Sequence, residues 1–313
     1  MDESKAVELY RKHRPRRLSD VVGQDAAVAQ LEEMLKRDRV PRVLMFCGPS
    51  GCGKNTLAYI LRRRLRCSER DFQKINGAEA RGIDTVRDIQ QRMMLAPMAG
   101  DCRVWFIDEC HRLTNDSQSA LLETLEDTPS HVYFMLATTD PGKVIKTVRG
   151  RCTEVVLKMI GPEDLEKLVR SVLIAEKREL SKLAVSKLAE VAEGSARKAL
   201  VLLHQILDLP GDKERLAVLE RGDRARTAYE LARLLVWDRG VTWAKVAEVI
   251  AGLEDDDWEG LRRLVLSCAT KDALKPSGSG RAIAVIEAFS YAWYDTGRAG
   301  LVRACHDVVN AKR

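Results

Sequence analysis

The sequence predicts an α/β domain with a phosphate-binding loop, followed by two helical domains. Short apolar runs alternate with amphipathic stretches between about residues 43 and 158, which is typical of a parallel sheet covered by helices. A glycine-rich loop follows the first apolar run and precedes an amphipathic stretch, the order in which such loops bind phosphate. Beyond residue 161 the apolar residues recur at helical spacing. We expect three domains, at 1–160, 161–210 and 214–313.

Five apolar runs in the first domain predict its strands. Their continuous hydrophobicity indicates strands that are buried on both faces of a sheet. The runs cover residues 43–47, 72–75, 104–107, 132–137 and 153–157.

Two helix starts follow from the same pattern. The glycine-rich loop is expected to open a helix over 55–66, since such loops lead directly into a helix. Pro162 is expected to open the first helix of the second domain, since proline suits the first helical position.

The composition is that of a globular protein rather than a disordered chain. Of 313 residues, 45% are apolar and 31% are charged, which is enough apolar material for a substantial core. The 52 basic and 46 acidic residues give a net charge of +6, which does not by itself require a nucleic-acid partner. Basic clusters at 11–17 and 62–66 are compatible with phosphate contacts, or simply with solvated helix faces.

The cysteine pattern and the hydropathy predict a cytoplasmic protein. The eight cysteines form no Cys-x-x-Cys pair, so we expect reduced thiols and no zinc module. The first residues carry charge and no apolar signal region follows them. No apolar run approaches the ~18 residues that span a bilayer, so no membrane association is expected.

The strongest functional signal is the glycine-rich loop at 48–56, whose pattern binds nucleoside triphosphates. The glycines let successive backbone N–H groups surround the phosphates, and Lys54 reaches the β and γ oxygens. We therefore expect ATP and Mg²⁺ as ligands. The loop residues expected to bind the nucleotide are Gly48, Pro49, Ser50, Gly51, Cys52, Gly53, Lys54, Asn55 and Thr56.

Asn55 stands where the loop pattern has the hydroxyl residue that normally binds Mg²⁺. Three interpretations are open. The amide oxygen of Asn55, or the hydroxyl of Thr56, lies near the metal, since an amide carbonyl is an acceptable ligand for a hard cation. Alternatively, the chain binds nucleotide without turning it over. The third interpretation is a laboratory substitution that traps a bound state.

A second nucleotide signature, Asp108-Glu109, ends the apolar run at 104–107. Carboxylates at the end of a strand beside a phosphate loop predict a metal-dependent hydrolytic site. Asp108, with Asn55 or Thr56, is expected to hold the Mg²⁺ shell. Glu109 is expected to orient and polarise the attacking water.

The order of these motifs resembles the AAA+ ATPase subunits of sliding-clamp loaders. The resemblance covers about residues 5–205, and it rests on segments 10–15, 20–24, 76–87, 121–127 and 134–141. It implies an AAA+ P-loop parallel-sheet domain, a small helical lid and an all-helical collar domain. It also implies an adenine pocket in the N-terminal segment, formed by Tyr10, Arg14, Pro15, Val22 and Gly23.

The resemblance implies three further catalytic positions. Thr139 matches sensor 1 of the family, beside the γ-phosphate. Arg151 matches the arginine that acts in trans on a neighbouring subunit's nucleotide, although Gly150 replaces the serine of that motif. Arg197 matches sensor 2, which contacts the nucleotide in cis.

DNA and clamp contacts are also implied by the resemblance. Arg81, Gly82 and Ile83 begin a predicted helix, whose free N–H groups suit a backbone phosphate. The end of that helix lies where related subunits press on the clamp, and methionines suit an adaptable contact surface, with core packing as the alternative. The predicted clamp contacts are Met93, Met94, Leu95 and Met98.

The function implied is that of an ATP-driven clamp-loader subunit, which helps open a sliding clamp and place it on primer–template DNA. The implied partners are the clamp, the DNA and other loader subunits, identical or different, in a ring-like arc. Two alternatives are a nucleotide-binding scaffold that does not hydrolyse, and another AAA+ DNA remodeller such as a branch-migration motor.

Overall fold

The computed structural model describes residues 8–79, 82–238, 240–253, 258–275, 279–293 and 296–310, without the side chains of 221–226. The chain divides into two compact units, Met1–Asp212 and Lys213–Arg313. The further division of the first unit near residue 160 stays a prediction.

The first unit is built on a parallel sheet whose described strands lie in the order β2-β3-β4-β1-β5. All neighbouring pairs are parallel; Leu44 pairs with Met135, for example, and Trp105 pairs with Phe134. The α/β fold class predicted from the apolar runs is therefore confirmed. The strands are β1 Val43–Cys47, β2 Phe72–Asn76, β3 Arg103–Asp108, β4 Val132–Thr138 and β5 Thr153–Val156.

Helices cover both faces of this sheet. Alternate residues of the central strands point to opposite faces, so Phe46 packs in one core with Leu57, while Met45 packs in the other with Ile89. The helices of the sheet domain are α1 Leu9–Lys12, α2 Asp25–Lys36, α3 Lys54–Arg64, α4 Ile83–Met93, α5 Asn115–Glu126 and α6 Lys146–Arg149.

Two of the five strands differ from the expectation of burial on both faces. β2 and β5 are the edge strands, and neither is fully buried. Lys74 in β2 is exposed, and so is Val156 in β5. The apolar runs predict each strand correctly, but position at the edge follows from the strand order.

The glycine-rich loop lies between β1 and α3, as the strand–loop–helix pattern predicts. The helix runs from Lys54 to Arg64 rather than over 55–66. It ends earlier because Arg66 adopts a left-handed backbone conformation, with φ 54°.

Three helices complete the first unit and form a small bundle of their own. Pro162 occupies the first turn of the first of them, as predicted. Ser181 and Ser195 accept hydrogen bonds from the N–H groups of the first turns of the next two, which satisfies donors that the helices cannot. The helices are α7 Pro162–Glu176, α8 Lys182–Val191 and α9 Ala196–Ile206.

The described part of the second unit is helical, as the sequence predicts. A short π-helical segment, Arg233–Trp237, continues its first helix. The core is formed by apolar side chains such as Leu231, Val265 and Phe289. Among the described helices of the chain, none combines the length and apolar character needed to cross a membrane. The helices of the unit are α10 Asp212–Ala232, α11 Trp243–Ala251, α12 Trp258–Ala273, α13 Gly280–Ala288 and α14 Gly297–Asn310.

Candidate functional site

The phosphate loop is shaped by glycines that leave no room for side chains. Gly51 and Gly53 have φ 77° and 116°, in the left-handed region that favours glycine. A Cβ on Gly48 would lie 2.5 Å from the carbonyl oxygen of Leu157. The loop therefore presents backbone rather than side chains at the N-terminus of α3, the arrangement that binds phosphate.

Lys54 points into this loop. Its side chain is buried, with 6% exposed, and its ammonium donates to the carbonyl oxygens of Gly48 and Pro49, both at 2.7 Å. A buried ammonium needs such partners. The charge predicted to contact the β- and γ-phosphates is thus positioned within the loop.

Asn55 and Asp108 form a direct pair. The amide Nδ2 of Asn55 donates to Oδ2 of Asp108 at 2.8 Å, which joins the start of α3 to the end of β3. The Lys74 ammonium lies 3.1 Å from the same oxygen. Asn55 therefore meets the predicted metal-binding carboxylate through its amide nitrogen, and a lysine that sequence reasoning did not assign joins them.

Glu109 and Thr139 also come together, at the carboxyl ends of β3 and β4. The Thr139 hydroxyl donates to Oε2 of Glu109 at 3.1 Å. His111 Nδ1 lies 3.4 Å from the same oxygen and 3.0 Å from the hydroxyl of the buried Thr138. The carboxylate is thus held by side chains from the segments that follow β3 and β4.

The backbone of Glu109 is itself unusual. Its φ of 53° and ψ of 44° put a non-glycine residue in the left-handed region, at a cost of about 1–2 kcal/mol. Such conformations persist where surrounding contacts hold them, and they concentrate at functional sites.

Arg197 lies at the first turn of α9, against the phosphate loop. A Cβ on Gly51 would overlap the Ser195 hydroxyl and lie 3.4 Å from the Cβ of Arg197. The guanidinium of Arg197 stacks over the Tyr10 ring, 4.9 Å from its centroid. The structure therefore joins the predicted sensor 2 arginine to a residue of the predicted adenine pocket.

A buried glutamine connects the N-terminal segment to the loop. Gln24 donates to the carbonyl oxygens of Cys52 and Lys158, and its own side-chain oxygen accepts from the Lys158 N–H. The adjacent Gly23, with φ 70°, packs so closely on Ile160 that a Cβ would lie 2.7 Å from the Ile160 side chain. Sequence reasoning gave Gln24 no role, although it directly follows the glycine assigned to the adenine pocket.

Three further residues of the predicted adenine pocket have other surroundings in the N-terminal segment. Arg14 stacks over Tyr59 of α3, with its guanidinium 5.1 Å from the ring centroid. Pro15 and Val22 are half-buried in the same segment.

Arg151 lies apart from these groups in its own chain. It forms an ion pair with Glu126 of α5 and donates to the carbonyl oxygen of Thr147. About a third of the Arg151 side chain is exposed. Within its own chain, Arg151 therefore forms a surface ion pair.

The predicted DNA and clamp residues divide by exposure. Gly82 caps the start of α4 and Ile83 is partly exposed, while Arg81 lies outside the described residues. The predicted clamp contact of Met93 is wrong. Its side chain is 6% exposed and packs in the core below α4, so it cannot form a surface contact. The predicted contacts that remain on the surface are Met94, Leu95 and Met98, with exposures of 68%, 57% and 70%.

These residues fit a nucleoside triphosphate with Mg²⁺. The glycine cradle would be filled by a Cβ, and Lys54 lies inside it. Within the described ranges, no three His, Cys, Asp or Glu side chains are grouped so as to hold a metal ion. Mg²⁺ at such sites needs only one or two protein oxygens beside the phosphates, which Asp108 and Asn55 can supply.

Two family models match parts of the chain. The model of the DNA polymerase III delta subunit matches residues 70–161, and that of the Rad17 P-loop domain matches residues 1–96.

Curated relatives include DNA polymerase III subunits from several bacteria. The chain is 32% identical over 225 residues to subunit tau of Bacillus subtilis, covering 65% of this chain and 40% of that protein. It is 34% identical over 220 residues to subunit tau of Escherichia coli, covering 64% and 34%. It is 28% identical over 299 residues to subunit gamma/tau of Mycobacterium tuberculosis, covering 85% and 52%. The chain thus spans between about a third and about half the length of these relatives.

Solved structures with a similar fold include RuvB, the Holliday junction branch migration motor of Thermotoga maritima. The TM-score is 0.58 at 22% identity, and the match covers 89% of this chain and 98% of that one. At this identity the similarity concerns the fold alone.

Proposed function

Because the chain is a homologue of the gamma/tau subunits of DNA polymerase III and carries an AAA+ P-loop domain, we propose that it is an ATPase subunit of a clamp loader. Such a subunit uses ATP and Mg²⁺ to help open a sliding clamp and place it on primer–template DNA during replication. The observation that carries the proposal is the meeting of the phosphate loop, Asp108 and Glu109 at the carboxyl edge of one sheet.

Each residue of the proposed site has its own role in ATP hydrolysis. Lys54 and the loop N–H groups bind the β- and γ-phosphates, and Glu109 orients the attacking water. The Thr139 hydroxyl holds the Glu109 carboxylate in place. Mg²⁺, when bound, neutralises charge that develops on the phosphate oxygens.

Arg151 acts in trans within this proposal. Its guanidinium is partly exposed and pairs with a carboxylate that is half exposed, so little desolvation opposes a change of partner. In an arc of subunits, identical or different, it would stabilise transition-state charge on a neighbour's nucleotide. Residues 214–313 serve as the collar that holds the arc, 161–210 serve as the lid, and the assembly works in the cytoplasm.

The start of α4 is the proposed contact with DNA. None of the described residues comes within 4 Å of a Cβ placed on Gly82, and the free N–H groups of an eleven-residue helix begin there. Contacts of this kind read the phosphate backbone rather than the sequence, and their affinity falls with salt.

The end of α4 is the proposed contact with the clamp. We call Met94, Leu95 and Met98 the apolar ridge; all three are exposed. The backbone beneath them is tied down by polar side chains: Arg103 donates to the carbonyl oxygens of Arg92 and Ala96. His131 lies 3.1 Å from the carbonyl oxygens of Met93 and Leu95. A ridge held in one conformation loses less entropy on binding, which favours a docking role.

Replacing Met94 by Glu should weaken clamp binding about tenfold or more, because a charge would be buried at an apolar contact. ATP binding should be unchanged, since the ridge lies outside the phosphate site. Binding of the cognate clamp is measured by surface plasmon resonance. Leu183→Glu is the matched control, because Leu183 is 64% exposed on α8. Equal losses in both variants, or no loss in Met94→Glu, would remove the ridge from the proposal.

The proposed function itself is tested by steady-state ATPase assays of the assembled complex. We expect hydrolysis to rise most when primer–template DNA and the cognate clamp are added together. Stimulation by DNA alone would instead favour a DNA remodeller of the branch-migration type. Nucleotide binding with no turnover under any of these conditions would favour a scaffold.

A further inference from the structure

A lysine on the edge strand β2 points at the carboxylate predicted to hold the metal. The Lys74 ammonium lies 3.1 Å from Oδ2 of Asp108. The same oxygen accepts the hydrogen bond from Asn55 at 2.8 Å. Asp108 thus receives a full positive charge and an N–H donor on one oxygen, both from this chain.

The sheet register fixes this approach. Lys74 pairs with Phe106 on the neighbouring strand, and Asn76 pairs with Asp108. The lysine stem runs past the Phe106 ring, with the ammonium 5.6 Å from the ring centroid, before it reaches Asp108. The side chain of Asp108 is 16% exposed and that of Lys74 is 38% exposed, so the pair is less screened than an ion pair in open solvent.

Asn55 and Lys74 act on Asp108 together. Where the phosphate-loop pattern has a hydroxyl residue, the Asn55 amide places an N–H donor on the Asp108 carboxylate. The carboxylate therefore already has one of its oxygens satisfied by fixed partners. Without such partners, its negative charge would oppose a triphosphate bound nearby until a cation arrived.

We propose that Lys74 is a built-in cation beside Asp108 which takes over part of the charge neutralisation that Mg²⁺ supplies, so that the site binds nucleoside triphosphate with little dependence on Mg²⁺. This inference rests on the proposed nucleotide site and defines its regulation by metal. Lys74 has a positioning and electrostatic role here; Mg²⁺ still serves hydrolysis through Asp108 and the phosphates.

The test measures equilibrium binding of a fluorescent ATP analogue, with Mg²⁺ and with EDTA, by fluorescence anisotropy of the full chain. In the unchanged protein, removal of Mg²⁺ should weaken binding by no more than about threefold. In Lys74→Gln it should weaken binding by about tenfold or more, because each 1.4 kcal/mol of lost interaction is a factor of ten in affinity. Lys74→Arg, which keeps the charge, should behave as the unchanged protein does.

A control variant separates a local effect from a change in net charge. Lys36→Gln removes one positive charge on α2, where Lys36 is 72% exposed and faces Glu32. Its Mg²⁺ dependence should equal that of the unchanged protein. The inference is overturned if Lys74→Gln and Lys36→Gln respond alike, or if the unchanged protein already loses binding strongly in EDTA. If no variant binds the analogue even with Mg²⁺, the nucleotide site itself is wrong, and the proposed function falls with it.

Discussion

Replacing Glu109 by Gln should lower the ATPase rate by about 100-fold or more, while the affinity for ATP stays within about twofold of the original. The amide keeps the size of the side chain and one oxygen for the Thr139 hydroxyl, which now lies 3.1 Å from Oε2. It loses the negative charge that orients and polarises water in phosphoryl transfer. We therefore expect the Glu109→Gln variant to lose ATPase activity while it keeps its affinity for ATP.

The measurement combines steady-state phosphate release with equilibrium ATP binding, for the assembled complex with primer–template DNA and clamp. Glu123→Gln is a suitable control, because Glu123 is an exposed carboxylate on α5. A Glu109→Gln protein that hydrolyses ATP at the original rate would contradict the catalytic role. Loss of binding without loss of the maximal rate would instead make Glu109 a structural residue.

Replacing Asp71 by Asn should lower the free energy of unfolding of the first unit by about 3 kcal/mol. The Asp71 side chain is fully buried and accepts hydrogen bonds from the Ser68 hydroxyl and from the backbone N–H groups of Met98, Ala99 and Gly100. In the Asn variant, an amide NH₂ replaces one of the two accepting oxygens. This NH₂ group would point its own N–H groups at the existing donors, so hydrogen bonds would be lost. The bonds to a charged acceptor are also stronger than those to a neutral one.

The pH dependence of stability gives an independent check on Asp71. Burial by itself would raise the pKa of Asp71, but the bonds from Ser68 and from the three backbone N–H groups outweigh burial and lower the pKa from 3.8 to about 2. A carboxyl whose pKa is lower in the folded state contributes stability above its unfolded pKa. About 2 kcal/mol of stability should therefore be lost as the pH falls from about 4 to about 2, a loss that the Asn variant lacks.

Urea denaturation at pH 7, 4 and 2, followed by far-UV circular dichroism, measures both effects. Asp101→Asn is the matched control, since Asp101 is 67% exposed and pairs with Arg66 on the surface. It should change stability by less than about 1 kcal/mol. If Asp71→Asn is as stable as the control at pH 7, Asp71 does not anchor the backbone of residues 98–100. That result would also weaken the proposed preorganisation of the apolar ridge, whose last residue is Met98.

The strands were predictable to within about one residue because each is a local apolar run. The exposure of β2 and β5 was not, since the same kind of run occurs in a central or an edge strand. The side chains of Met93 and Met94 show the same limit. They are adjacent residues of one type, and the rotation of α4 on the sheet buries the first and exposes the second.

In the candidate site, too, some features were predictable from the sequence and others were not. The phosphate loop, Asp108 and Glu109 were predicted from spacing and chemistry, because loop and strand-end motifs are contiguous in sequence. Lys74 carried a visible signal, as a single charge within an apolar strand run, but nothing local indicated its partner. The same holds for Arg151, whose ion pair with Glu126 joins residues on different helices and loops.

The sequence by itself determined that this chain has a parallel α/β domain, a triphosphate-binding loop and a carboxylate pair at the end of a strand. These features are periodicities and short motifs, which depend on neighbouring residues. Only the tertiary structure decided that Asn55 donates to Asp108, that Lys74 reaches the same oxygen, and that Arg197 stacks on Tyr10. Those contacts join residues that are distant along the chain, and the order of strands and the packing of helices bring them together.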